Sequence, residues 1–119
     1  VCKGDAMKKI LGIVSCLLIS NAFAVSFDCN RATTFSEKSV CSNKNLSELD
    51  DDLAERYKIV LAANKELKIS SDEIKNSQKQ WFKKISKCAD INCIKNLYES
   101  RIEELIGEYR TLMQAIRYR

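Results

Sequence analysis

Apolar residues recur every three or four positions in three stretches of this 119-residue chain. The apolar stripe of the first stretch, residues 45–67, is made of Leu46, Leu49, Leu53, Tyr57, Val60, Leu61 and Leu67. The second stretch begins at Ser70, and its stripe is made of Ile74, Gln78, Trp81, Ile85 and Cys88. The third begins near Asn92, and its stripe is made of Ile94, Leu97, Tyr98, Ile102, Leu105, Tyr109, Leu112 and Ile116. This spacing is the period of one face of an α-helix and predicts three long helices.

Polar residues at the starts of two of these stretches predict where the helices begin. Asn45 followed by Glu48, and Ser70 followed by Glu73, have the spacing of a capping box, in which side chains satisfy free N–H groups of the first turn. A shorter helical segment is predicted from about residue 33 to residue 41. Proline is absent and only three glycines occur, so the turn residues that sheets and hairpins need are scarce. We therefore predict an all-α fold, a small antiparallel helical bundle of three long helices and one short N-terminal helix.

Residues 7–24 have the three-part layout of a secretory signal peptide, with a basic start, an apolar run and the small-residue sequence Ala-Phe-Ala at the end. The apolar run is too short to cross a bilayer as a helix. We interpret residues 1–6 as lying upstream of the start methionine. Residues 25–119 are interpreted as one mature domain that is not an integral membrane protein. Cys16 follows a sequence that loosely resembles a lipoprotein cleavage box, but the apolar run continues past it, so we favour the later cleavage site.

Four cysteines lie in the mature domain: Cys29, Cys41, Cys88 and Cys93. An even number in a small exported domain predicts two disulfides. The last two do not have the C-x-x-C spacing of a redox motif, and zinc sites normally have tighter spacing. Three pairings are possible and spacing alone does not choose among them; we favour the local one, Cys29 with Cys41 and Cys88 with Cys93. Its loops of 13 and 6 residues contribute about 3 and about 2 kcal/mol in the chain-entropy model.

The charge balance and the lack of histidine argue against several classes of function. The chain has 20 basic and 16 acidic residues; without Lys3, Lys8, Lys9 and Asp5 of the leader the counts are 17 and 15, a net charge of +2. Such a balance does not favour nucleic-acid binding. The absence of histidine removes Ser-His and Cys-His nucleophile pairs and the commonest metal ligand. We therefore predict neither an enzyme nor a site for a cofactor or a metal.

Two charged surfaces and one aromatic residue are candidates for contacting a partner. An acidic run at the start of the first long helix consists of Glu48, Asp50, Asp51, Asp52 and Glu55. A lysine ridge, with one lysine every four residues of the second helix, consists of Lys75, Lys79, Lys83 and Lys87. Phe82 lies off the apolar stripe and is expected to be an exposed contact residue. Both charged patterns are also typical of ordinary solvated helix faces.

Other aromatic and charged residues are expected to serve the fold. Three aromatic residues on the stripes are expected in the core: Tyr57, Trp81 and Tyr98. Asp50 and Arg101 each lie at the edge of a stripe, unlike their freely exposed neighbours. We predict that they form a partly buried ion pair that sets the register between the first and third long helices.

Several short motifs follow one another along the mature domain: "FDCNRATTFSEKSVC", "LSELDDDLAERY", "QKQW" and, after a pair of cysteines, "LYESRIEEL". In order and spacing they resemble the LprI-type lysozyme inhibitor domain family. The resemblance covers about residues 26–109, with one departure, since Ile85 stands where the family often has arginine. The positions that match the family's pattern are Cys29, Glu37, Cys41, Leu46, Leu49, Asp50, Leu53, Tyr57, Gln78, Trp81, Cys88, Cys93, Tyr98, Arg101, Ile102 and Leu105.

The resemblance implies an exported bacterial helical domain with disulfides, periplasmic or secreted, and for some members of the family binding and inhibition of lysozyme. Lysozymes of the vertebrate type are basic, so an inhibitor is expected to bind them through the acidic run. The alternative is a periplasmic envelope-interaction module, in which the lysine ridge binds anionic glycan, lipid or a partner protein. Charge reversal separates the two hypotheses, because the first depends on the acidic run and the second on the lysine ridge.

Overall fold

Four α-helices make up most of residues 25–118, which are the residues that the computed structural model describes. After a short 3-10 turn at Cys29–Arg31, the helices are α1 (Phe35–Ser42), α2 (Lys44–Leu67), α3 (Asp72–Ile85) and α4 (Ile91–Arg117). The described residues include no strand, and the predicted all-α bundle is confirmed. The predicted upstream residues 1–6, the signal peptide at residues 7–24 and Cys16 lie outside the described residues.

A single residue, Asn43, separates α1 from α2 and caps both helices. Its N–H donates to the carbonyl of Ser39 in α1, and its side-chain oxygen accepts from the N–H of Leu46 in α2. The predicted cap at Asn45 is therefore wrong, because Asn45 already lies inside the helix. The end of α1 decides the position of the cap, since only one residue between the two helices is free to adopt the extended backbone that a cap needs.

The start of α3 also differs from the prediction. The capping box of Ser70 and Glu73 is not formed, and Ser71 is the residue that precedes the helix. The hydroxyl of Ser71 accepts a hydrogen bond from the Asn64 side chain at 3.2 Å, so it does not cap its own helix. The Ser70 hydroxyl accepts instead from the N–H of Asp72 at 3.2 Å.

The two disulfides have the predicted local pairing. Cys29–Cys41 joins the 3-10 turn to the end of α1. Cys88–Cys93 joins the connection after α3 to the first turn of α4, where Asp90 caps the helix by accepting from the N–H of Cys93. Each bond therefore fixes a corner of the bundle, and no cysteine of the described residues is free.

Consecutive long helices run antiparallel, so α2 and α4 run in the same direction. The Trp81 indole near the end of α3 donates to the Leu97 carbonyl near the start of α4, and the Tyr98 hydroxyl reaches Asp50 near the start of α2. Both α2 and α3 pack on α4, but they scarcely contact each other. This leaves a seam between α2 and α3, closed at one end by α1 and by residues 25–27.

The core contains most residues of the predicted stripes. Its largest fully buried side chains are Leu46, Ile94, Leu105, Val40 and Val60. Trp81 and Tyr98 are buried as predicted, whereas Tyr57 is half-buried at the edge. Tyr109 is 38% exposed and was wrongly placed on the core stripe. It follows Glu108, which lies level with the connection between α2 and α3, so α3 no longer covers α4 there.

Within residues 25–118, no helix combines the length and the apolar character that crossing a membrane requires.

Candidate functional site

A buried carboxylate lies where α2, α4 and the N-terminal segment meet. Asp50 is 4% exposed. Its Oδ1 accepts from the hydroxyls of Tyr98 and Ser26, both at 2.9 Å, and its Oδ2 accepts from the N–H of Ser26 at 2.6 Å. Burial and the negative charge of Asp50 both raise the pKa of Tyr98 above its ordinary value, so the phenol remains protonated and able to donate. Asp50 thereby fastens the N-terminal segment to the bundle.

A buried guanidinium joins α3 to α4. Arg101 is 4% exposed, and its Nε and Nη2 donate to Gln78 Oε1 at 2.8 Å and Ser77 Oγ at 2.9 Å. Its Nη1 donates to the exposed carboxylate of Glu104 at 2.9 Å. Because two of these three partners lie on α3, the guanidinium fixes the position of that helix along α4.

The predicted ion pair between Asp50 and Arg101 is wrong, although both side chains are buried. Helical geometry gives the reason. A separation of three residues is a rotation of about 300°, so Arg101 lies about 60° around α4 from Tyr98. Tyr98 consequently faces α2 and Asp50, whereas Arg101 faces α3.

These buried polar groups are suited to a structural role. No buried side-chain nitrogen or oxygen of the described residues lacks a hydrogen-bond partner. Fully satisfied polar networks in a low-dielectric interior favour one particular packing. Trp81 belongs to the same cluster, with its ring edge-on to Tyr98 at 4.9 Å between centroids. The network therefore explains how the bundle is held, and the candidate binding sites lie on the surface.

The acidic run is partly neutralised by basic residues of its own helix. Glu48 pairs with Lys44, and Asp52 Oδ1 accepts from Arg56 Nε at 2.9 Å. Asp51 and Glu55 are exposed and make no hydrogen bond or ion pair with any residue that the structure describes.

Asp51 and Glu55 are one helical turn apart, so their side chains lie on the same outer face of α2. Of the four carboxylates predicted to contact a partner, these two are free to do so without breaking an existing ion pair.

The lysine ridge is shorter than the sequence predicts. Lys75, Lys79 and Lys83 are exposed on α3, and none pairs with a carboxylate in the described part of the chain. Lys87 lies beyond the helix, which ends at Ile85, so its side chain does not continue the four-residue repeat. The repeat in the sequence simply runs past the end of the helix.

The seam between α2 and α3 contains an open groove of about 540 Å³. Phe82 is 55% exposed, as predicted, and stands where this groove meets a second cavity of about 350 Å³ beside α1. Phe82 also packs edge-on against Trp81, at 5.3 Å between centroids. An exposed aromatic ring supported from behind by a buried one is well placed to contact a partner.

Three residues that hydrogen-bond to the buried Asp50 and Arg101 were not predicted from the sequence. Ser26 lies 24 positions before Asp50 and belongs to no periodic pattern, so nothing in the sequence indicated its role. Ser77 is likewise a single serine on a polar helix. Gln78 did carry a signal, because a polar side chain on an apolar stripe needs a buried partner. That partner is Arg101.

Among the described residues, no group of three or more histidine, cysteine, aspartate or glutamate side chains is arranged to hold a metal ion. Comparisons with protein-family models, with curated proteins and with solved structures found no match to this chain.

Proposed function

We propose that this protein is an exported inhibitor, periplasmic or secreted, that binds lysozyme through the carboxylates of Asp51 and Glu55. The observation that carries the proposal is their position: both are exposed on one face of α2 and neither is engaged by another described residue. A basic lysozyme surface offers the complementary charge. The local patch matters because the net charge of the mature domain, +2, would not itself attract a basic protein.

The resemblance to LprI-type inhibitors adds support, because many residues of its pattern have a structural role in this fold. The four cysteines of the pattern form both disulfides. Glu37 completes the capping box of α1 with Thr34. Asp50 and Arg101 anchor the buried networks. The pattern thus specifies a rigid scaffold on which a binding surface can be presented.

The expected contribution of the two carboxylates is modest. Exposed ion pairs contribute about 0.2–1 kcal/mol each. Replacing Asp51 and Glu55 by their amides should therefore weaken inhibition roughly two- to thirty-fold, with most of the effect at low salt.

The test is a lytic assay of a vertebrate-type lysozyme on bacterial cell walls with the purified exported protein at several salt concentrations. Unaltered protein should slow lysis, and the variant Asp51→Asn/Glu55→Gln should slow it less. The matched control is Glu48→Gln/Asp52→Asn, which also removes two charges from α2 but only from carboxylates that are already paired. Absence of inhibition by the unaltered protein, or equal effects of the two variants, would reject the proposal.

The second candidate is an envelope-interaction module that binds anionic glycan, lipid or a partner protein. It is favoured by one observation, the row of exposed and unpaired lysines at Lys75, Lys79 and Lys83. The test is sedimentation with anionic vesicles and with purified peptidoglycan. Binding that is lost in Lys79→Gln/Lys83→Gln while lysozyme inhibition is unchanged would favour this candidate over the first.

A further inference from the structure

The groove between α2 and α3 has an apolar floor that no described element covers. This floor is formed by Leu53, Ala54 and Leu61 of α2 and by Trp81 and Phe82 of α3. The groove extends over residues 50–61 of α2 and 75–82 of α3. At about 1.5 Å per residue, these spans correspond to roughly 10–16 Å, or two to three turns of a helix.

A short helix already packs on the bundle at the closed end of this seam. There α1, a helix of eight residues, packs on α2 and α4 beside the end of α3. It is held by apolar contact through Val40 and by hydrogen bonds from Ser36 to the Ile85 carbonyl and from Ser47 to the Val40 carbonyl. A second short helix in the open groove would lie against α2 and α3 and add a fourth helix to that part of the bundle.

The charged residues at the rim of the groove indicate which kind of helix would bind there. Lys58 lies on the α2 side, and Lys75 and Lys79 lie on the α3 side; all three are exposed. Asp50 is the only acidic residue among the described residues that line the groove, and its carboxylate is already occupied by Ser26 and Tyr98. The exposed charged residues at the rim are therefore all basic, and they surround an apolar floor. A helix that fits has apolar residues on one face and carboxylates along its flanks.

We propose that the groove docks a short, acidic, amphipathic helix of a partner protein, two to three turns long. This inference rests on the second candidate function, since it names the partner of a basic surface by its chemistry, and it is independent of lysozyme inhibition. Apolar side chains spaced three and four residues apart fill the floor beside Phe82. Carboxylates on both flanks meet Lys58 on one side and Lys75 and Lys79 on the other.

The experiment is a selection of binders from a randomised library of 14-residue peptides displayed against the purified exported protein. Enriched peptides should carry an apolar stripe of helical period flanked by aspartate or glutamate. The best of them is then titrated against the protein in solution. Trp81 is the only tryptophan of the chain and lines the groove, so a change in its fluorescence on titration indicates that the groove is occupied.

Two variants of equal charge change locate the site. Lys75→Glu/Lys79→Glu alters the rim of the groove, and Lys84→Glu/Lys87→Glu alters exposed positions at and just beyond the end of the same helix, outside the groove. The first should weaken peptide binding about tenfold or more, because attractive contacts at the rim become repulsive, and the second should change it less than about twofold. Ala54→Arg, which places a long side chain in the groove, should abolish the Trp81 response.

Enriched peptides that are basic or lack helical periodicity, or no enrichment at all, would overturn the inference. Equal weakening by the two lysine variants would also overturn it, because binding would then depend on the charge of α3 in general and not on the rim of the groove. Binding to anionic vesicles and to peptidoglycan is measured in parallel, which distinguishes failure of this inference from failure of the second candidate function. If those ligands bind and acidic helices do not, the basic surface functions without a helix partner; if none of them binds, the second candidate fails as well.

Discussion

Replacing Asp50 by asparagine tests the buried network with almost no change in volume. In the unaltered protein one carboxylate oxygen accepts hydrogen bonds from the hydroxyls of Tyr98 and Ser26, and the other accepts one from the N–H of Ser26. An asparagine oxygen can serve the hydroxyls of Tyr98 and Ser26, but the amide NH₂ then faces the N–H of Ser26, donor against donor. The opposite orientation turns the NH₂ towards the two hydroxyls. In the first orientation the N–H of Ser26 loses its acceptor, and in the second the buried O–H of Tyr98 loses its acceptor. In both orientations the remaining hydrogen bonds no longer involve a charge.

The size of the effect follows from which bond is lost. A hydrogen bond to a charged group contributes about 1.5–3 kcal/mol. Ser26 is exposed, so its N–H can turn to water and adds little further cost. We expect Asp50→Asn to lower the free energy of unfolding by about 1.5–3 kcal/mol. Breaking a buried ion pair, as the sequence predicted, would cost about 3–5 kcal/mol. For a domain of this size the expected loss lowers the melting temperature by roughly 6–24 °C.

The assay is urea unfolding followed by far-UV circular dichroism, with Asp51→Asn as the matched control. Asp51 is exposed and unpaired, so its replacement should change the free energy of unfolding by less than about 0.5 kcal/mol. A double-mutant cycle should show coupling of about 0.5–3 kcal/mol between Asp50→Asn and Tyr98→Phe. Equal and small effects of Asp50→Asn and Asp51→Asn would refute the reasoning. Stronger coupling of Asp50→Asn to Arg101→Met than to Tyr98→Phe would refute it too, because the ion pair would then exist.

Three further predictions concern pH and cross-linking. Burial and Asp50 raise the pKa of Tyr98, so the contribution of this side chain to stability is complete below the ordinary pKa of 10.0 and is lost as the pH rises above that value. Tyr98→Phe should therefore flatten the fall in the free energy of unfolding at alkaline pH. The pKa of Glu37 is lowered from 4.5, chiefly by hydrogen bonds from the backbone at the start of α1, so the contribution of Glu37 to stability is present above pH 4.5 and is lost as the pH falls below it. Glu37→Gln can still cap the helix and should flatten the fall in the free energy of unfolding at acid pH. An unchanged slope there would contradict this. Replacing Cys29 and Cys41 by alanine should cost about 3 kcal/mol, and unreduced proteolysis of the unaltered protein should release these two cysteines in one cross-linked fragment.

Periodicity predicted the helices well because it is a property of each segment taken alone. The stripes place apolar side chains on one face whatever the neighbouring segments do, and most of those side chains are buried. Helix ends depend on neighbours. Asn43 and Asn45 are both suitable caps, and only the end of α1 selects the first. In the same way, the lysine repeat continues to Lys87 although α3 has already ended.

Side-chain partners were less predictable than burial for a geometric reason. Asp50 and Arg101 were expected inside from their positions at the edges of stripes, and they are. Their partners depend on small rotations about α4 and on where the N-terminal segment crosses the bundle. Neither quantity leaves a periodic trace. Ser26 illustrates this, since it lies outside every helix and still provides two of the three hydrogen bonds to Asp50.

The buried residues and the surface groups of this chain have different roles. The pattern positions Asp50, Trp81, Tyr98 and Arg101 are buried and engaged with other parts of the bundle. The exposed carboxylates, the lysine ridge and Phe82 are not part of the pattern. The buried residues therefore define the scaffold and the surface groups define what it can bind, because function depends on sites carried by a fold rather than on the fold itself. Binding experiments on the surface groups of this chain, rather than the pattern, decide between lysozyme and another partner.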